Sequence, residues 1–119
     1  MGFYQDVTVV CGKEALRLLE DIYKKYGFLP KKKPSGDFWI LEWWDVRWDR
    51  HFPEVEEIEQ VLLQLDEFIT EDGGFAYKQF IFDEDEEDTK VRVNNVGEVL
   101  LFDYYVQRTV YDPEAVIEY

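Results

Sequence analysis

The sequence holds one cysteine (Cys11), one histidine (His51), one serine (Ser35) and one methionine among its 119 residues. A lone cysteine excludes an intrachain disulfide and a cysteine-based zinc site. A Ser/His/Asp or Cys/His nucleophile would need Ser35 or Cys11 beside His51. Ser35 lies in a Pro/Lys/Gly segment and Cys11 at the end of an apolar run, and no spacing joins either to His51. Cys11 therefore reads as a small buried hydrophobe, and His51 as a turn residue before a helix. A phosphate cradle is missing too, because Gly73-Gly74 has neither the spacing nor the Lys-Ser/Thr of such a loop. No run approaches the ~18 apolar residues of a membrane span. The first ten residues have no basic n-region or apolar core, so no signal peptide is expected. These absences point to a soluble, cytoplasmic, non-enzymatic chain with no cofactor.

Basic residues are scarce in one region. The chain has 27 Asp+Glu against 13 Lys+Arg, a formal net charge of −14. From Glu54 to Asp88 there are 14 acids and one base, Lys78, while the rest carries 13 acids and 12 bases. The excess thus belongs to one block, which includes the unbroken run Asp83, Glu84, Asp85, Glu86, Glu87, Asp88. Such charge repels nucleic acid and anionic membrane surfaces. With 46% hydrophobic and 18% aromatic residues, the chain is too apolar for a disordered acidic tail, and its length suits a single domain, 1–119.

Residues 4–11 are β-rich and read as a central strand. Ala15, Leu18, Leu19, Ile22, Tyr23 and Tyr26 follow helical spacing over 13–26, with Gly27 as a left-handed stop. Pro30 to Gly36 reads as a loop. Residues 38–48 form a Trp-rich strand, with Phe38, Ile40, Glu42, Trp44, Val46 and Trp48 on one face and Trp39, Leu41, Trp43, Asp45 and Arg47 on the other. Pro53 opens a second helix whose buried stripe is Val55, Ile58, Leu62, Leu65 and Ile69. Asp72-Gly73-Gly74 ends that unit. Strands are expected over 75–82, 89–94 and 99–111, with a turn at Asn95-Val96-Gly97. The order βαβαβββ predicts an α+β fold: two helices packed on one face of a four- to five-stranded, mostly antiparallel sheet, ending in a meander.

Met1-Gly2-Phe3 with Asp6-Val7, then Leu41-Glu-Trp-Trp-Asp-Val-Arg-Trp48 running into Phe52-Pro53-Glu54-Val55, Ile58 and Leu62 to Asp66, resemble a family of small uncharacterised phage and prophage proteins. The resemblance covers about the first two-thirds of the chain. It implies a phage accessory protein and supplies no active site. Where that family carries Gly-Glu-Asp, this chain has Asp83–Asp88.

Three readings of the acids compete. Glu42, which interrupts an aromatic strand face, is a candidate acid or base, or a cross-strand partner of Arg47, Arg92 or Arg108. Asp83, Asp85 and Glu87 mimic the start of a calcium loop, but the loop glycine is replaced by Asp88 and the twelfth position is Asn94. The third reading is a binding face built from Glu56, Glu57, Leu63, Glu67 and Asp83–Asp88. Segregated acids resemble the phosphate row of a duplex and attract basic nucleic-acid grooves. The expected function is a phage-type inhibitor in the bacterial cytoplasm. Its partner would be a basic, nucleic-acid-handling host protein such as a Cas or restriction nuclease. An immunity-type inhibitor of a basic toxin is the alternative, and a metal-binding or enzymatic module is a third. The tryptophans also allow a homodimer.

Overall fold

The computed structural model describes residues 4–67, 73–83, 89–101, 105–106 and 117–118. Strand β1 (Gln5–Cys11) leads through Gly12 into helix α1 (Lys13–Tyr26). A hairpin of β2 (Lys31–Ser35) and β3 (Phe38–Val46) follows, then helix α2 (Pro53–Asp66). A 3-10 turn (Gly73–Phe75) precedes β4 (Tyr77–Asp83), β5 (Thr89–Val93) and the short helix α3 (Asn95–Leu100). Tyr105–Val106 (β6) pairs with Ile117–Glu118 (β7) as a separate ladder. The main sheet is antiparallel, in the order β2-β3-β1-β4-β5.

The fold is α+β, as its periodicities predict. β1 is central, flanked by β3 and β4, which explains its unbroken burial from Val7 to Cys11. α1 places Ala15, Leu16, Leu19, Ile22 and Tyr23 on the sheet side. α2 adds Ile58, Leu62 and Leu65, and both helices pack on Val7, Val9, Cys11, Leu41, Trp43 and Tyr77. Gly27 closes α1 at φ 66°, and the Phe28 N–H reaches the Tyr23 carbonyl at 2.8 Å. Only glycine adopts that backbone without strain. Phe28 is thereby laid flat on Trp43, with ring centroids 5.6 Å apart.

Two departures from the expected order have physical causes. Lys31–Ser35 is a strand rather than a loop, paired with Phe38–Glu42. It is an edge strand, where lysines and a proline are tolerated because one side forms no ladder. The segment expected to strand from Val99 begins instead in α3. Asn94 caps that helix, its Oδ1 accepting from the Gly97 N–H at 2.8 Å, as short polar side chains do at helix starts. β4 begins at Tyr77 rather than Phe75, and residues 102–104 and 107–111 of the expected 99–111 strand lie outside the described residues. α3 serves the opposite face of the sheet, where Val96 and Leu101 join Val10, Ile40, Ala76, Phe80 and Phe82 in a second core.

Candidate interaction surface

The acids of α2 form the first part of the expected face. Val55, Ile58, Leu62 and Leu65 turn inward, so Glu56, Leu63 and Glu67 lie on the outer side. Leu63 is 41% exposed, and Glu67 is exposed. Other elements, however, bring bases onto this helix. Arg50 grips Glu56 with a two-pronged fork, Nε at 2.7 Å and Nη2 at 3.0 Å, and Gln60 adds a third bond at 2.8 Å. These bonds hold the Glu56 carboxyl down at about 2. Lys25 of α1 lies 3.2 Å from Glu57, whose other oxygen accepts from the Tyr26 hydroxyl. The Tyr26 and Lys25 bonds lower the Glu57 pKa. Arg92 of β5 contacts Glu59 and Asp66, both at 3.4 Å. Asp66 also receives the Tyr77 hydroxyl.

Counting by segment therefore overstates the acidity of α2. Its charges are cross-linked to α1, to the turn before it and to the sheet. Much of their effect is to clamp the helix onto the layer below. Arg50 and Lys25 are the participants that the sequence left unassigned, and Arg92, an expected partner of Glu42, pairs with Glu59 and Asp66 instead. Arg50 alone was near enough in the chain to suggest itself, as the last base before an acid-rich helix start.

The run Asp83–Asp88 is placed differently. Asp83 ends β4 and Thr89 begins β5, and these strands are antiparallel neighbours. Residues 84–88 therefore link two adjacent strand ends, although they lie outside the described residues. Asp83 pairs with Gln5, and Gln5 with Val46. The acidic link thus leaves the sheet at the end where β1 begins and β3 finishes.

That end is irregular. Asp45 has φ 55°, a left-handed backbone, and its N–H donates to Asp6 Oδ1 at 2.8 Å. The β1–β3 register shifts between Gln5 and Val7, the signature of a bulge. The bulge breaks the expected alternation. Val46 and Trp48 move to the face they were not assigned to and pack against the α1/α2 core, with Trp48 5.5 Å from Trp43. Trp44 stays on the opposite face and is 54% exposed. Two adjacent strand residues must point to opposite faces, so the Trp43-Trp44 pair already signalled that one ring would leave the helix-side core.

The remaining candidates resolve plainly. Glu42 is buried and ion-paired with Lys33 at 3.1 Å rather than with Arg47 or Arg92, because β2 is the neighbour of β3; Arg108, the third expected partner, lies outside the described residues. Its second oxygen accepts from the Trp44 indole N–H at 3.2 Å. Cys11 is buried, and desolvation pushes its thiol up to about 12. Cys11 and Pro34 both pair with Trp39 near the start of β3, so Cys11 and Ser35 share one sheet end. His51 follows the other end of β3, where its Nδ1 lies 2.7 Å from Asp49. Among the described residues no group of three or more His, Cys, Asp or Glu could hold a metal; Asp85 and Glu87 lie outside them. Among those residues, too, no helix is long and apolar enough to cross a membrane. No protein-family model matches the chain, and neither curated proteins nor solved structures give a match.

Proposed function

We propose that this chain is a non-enzymatic, phage-type binding protein acting in the bacterial cytoplasm. It would place an acidic sheet end in the basic nucleic-acid groove of a host defence protein such as a Cas or restriction nuclease. The observation that carries this reading is the position of Asp83–Asp88. Asp83 closes β4, and the five acids 84–88 follow it in sequence before β5, at the sheet end that also bears Asp6 and Asp45. Acids concentrated in one stretch of chain compete with a phosphate backbone for the same cations. It also speeds association with a basic partner. The outer side of α2, with Leu63 and Glu67, is secondary because Glu56 and Glu57 are internally paired.

Competition decides the matter. Purified Cas and restriction nucleases are titrated with the protein in the presence of labelled duplex. The expected outcome is displacement of the duplex, weakening as salt rises, and lost when Asp83–Asp88 is replaced by Ser and Asn. Retention of full displacement by that variant, or none by the native chain against any such nuclease, removes the proposal.

A further inference from the structure

Trp44 is the large aromatic of β3 that the core does not use. It is 54% exposed, whereas Trp43 beside it is 2% exposed. Its position is nonetheless fixed. The indole N–H is held by buried Glu42, which Lys33 holds in turn. The Lys31 ammonium lies over the ring, 5.4 Å from its centroid. An exposed ring fixed by its own fold loses little further rotamer freedom on binding, which is the physical basis of an anchor residue.

The surroundings select the ligand. The bulge sets Asp6 opposite Trp44 and Asp45, and the Asp6 carboxylate accepts the Asp45 N–H. An exposed π-face on a bulge that carries two aspartates is complementary to a cation, and the Lys31 ammonium already lies over it. A guanidinium suits it better than an ammonium. It is planar, stacks on indole, and offers a rigid donor fork to a carboxylate.

We propose that Trp44, with Asp6 and Asp45, receives an arginine side chain of a basic partner protein. This deepens the reading of the chain as a binder of basic proteins and rests on it. The test uses 15N-labelled native protein, with the four indole signals assigned through Trp44→Phe, titrated with charge-matched nona-arginine and nona-lysine peptides. The expected result is a saturable shift of the Trp44 indole and roughly fivefold tighter binding of the arginine peptide. Trp44→Ala should abolish that preference while leaving salt-dependent binding of both peptides; Trp44→Phe should keep part of it. Equal affinity for the two peptides, or a preference that survives Trp44→Ala, overturns the proposal and leaves the acidic-link reading standing. An arginine preference that persists when Asp83–Asp88 is neutralised, but fails in Trp44→Ala, keeps the anchor and discards the link. Where Trp44→Ala does not fold, the native indole shift and Trp44→Phe decide. A Trp44 shift that follows protein concentration alone, or one produced by a single-stranded oligonucleotide, seats a second copy or a nucleic acid there and overturns the proposal.

Discussion

Asn94 is 2% exposed and its amide makes four hydrogen bonds. Its oxygen accepts from the N–H groups of Tyr77 and Gly97, and its nitrogen donates to the carbonyls of Leu65 and Phe75. One side chain thus ties the end of α2, the 3-10 turn, β4 and α3 together. Asn94→Ala strands several buried backbone groups and should lower unfolding stability by about 2–4 kcal/mol, read from urea denaturation. Asn94→Asp should not rescue it, since a carboxylate cannot donate to the two carbonyls. Cys11 offers a complementary test. With its thiol raised to about 12, almost no thiolate exists at pH 8. Native protein should resist iodoacetamide at that pH and react once urea unfolds it; rapid native labelling would contradict the burial. At this scale the sequence was partly transparent. That Glu42 needs a partner followed from its aromatic neighbours. That Lys33 is the partner did not, because it required β2 to lie beside β3.

The helix α2 is an ion-pair hub, and its pH response has a definite sign. The Glu56 carboxyl is held at about 2, below its ordinary 4.5, by Arg50 and Gln60, and Glu57 is shifted in the same direction. A carboxylate with a depressed folded pKa stabilises the fold above its unfolded value and loses that contribution as pH falls through the folded one. Melting temperature should therefore fall between about pH 4.5 and pH 2. Glu56→Gln should flatten the curve there, and high salt should shrink the difference, because the pair is exposed. Elements with strong periodicity, α1 and α2, were legible, as were the apolar strands β1, β3 and β4. β2 was hidden because an edge strand carries none of the apolar alternation that marks an interior one. α3 was hidden because six residues are too few for a helical period, although an asparagine three positions before a backbone N–H was there as a cap. The bulge at Asp45 was invisible for another reason. A strand of alternating side chains gives no local sign of where the alternation skips, unless a glycine marks it, and here the left-handed residue is an aspartate.

For the molecule as a whole, the charge of −14 opposes compaction. Replacing Asp83–Asp88 with Ser and Asn removes six acids and brings the formal charge to −8. The variant should melt at a higher temperature than the native protein in low salt, with the gap closing as salt screens the native repulsion. A variant that melts lower in low salt would mean that these acids take part in stabilising pairs. The net charge was readable at once; its distribution was readable only along the chain. Space redistributes it, because Lys25 and Arg92 come from distant segments, and Arg50 from the turn before it, to the helix that lacks bases.

The central place of β1 has a consequence for how the chain is made. β1 leaves the ribosome before both strands that flank it, β3 from residue 38 onward and β4 from residue 77. Until Tyr77–Asp83 has emerged, the nascent chain holds Val7, Val9 and Val10 in a strand with an open side. β-Strands in that condition recruit other strands. Synthesis thus passes through a window in which a strand buried from Val7 to Cys11 in the finished fold waits for a partner encoded some seventy residues later, a period when holdase protection would matter most.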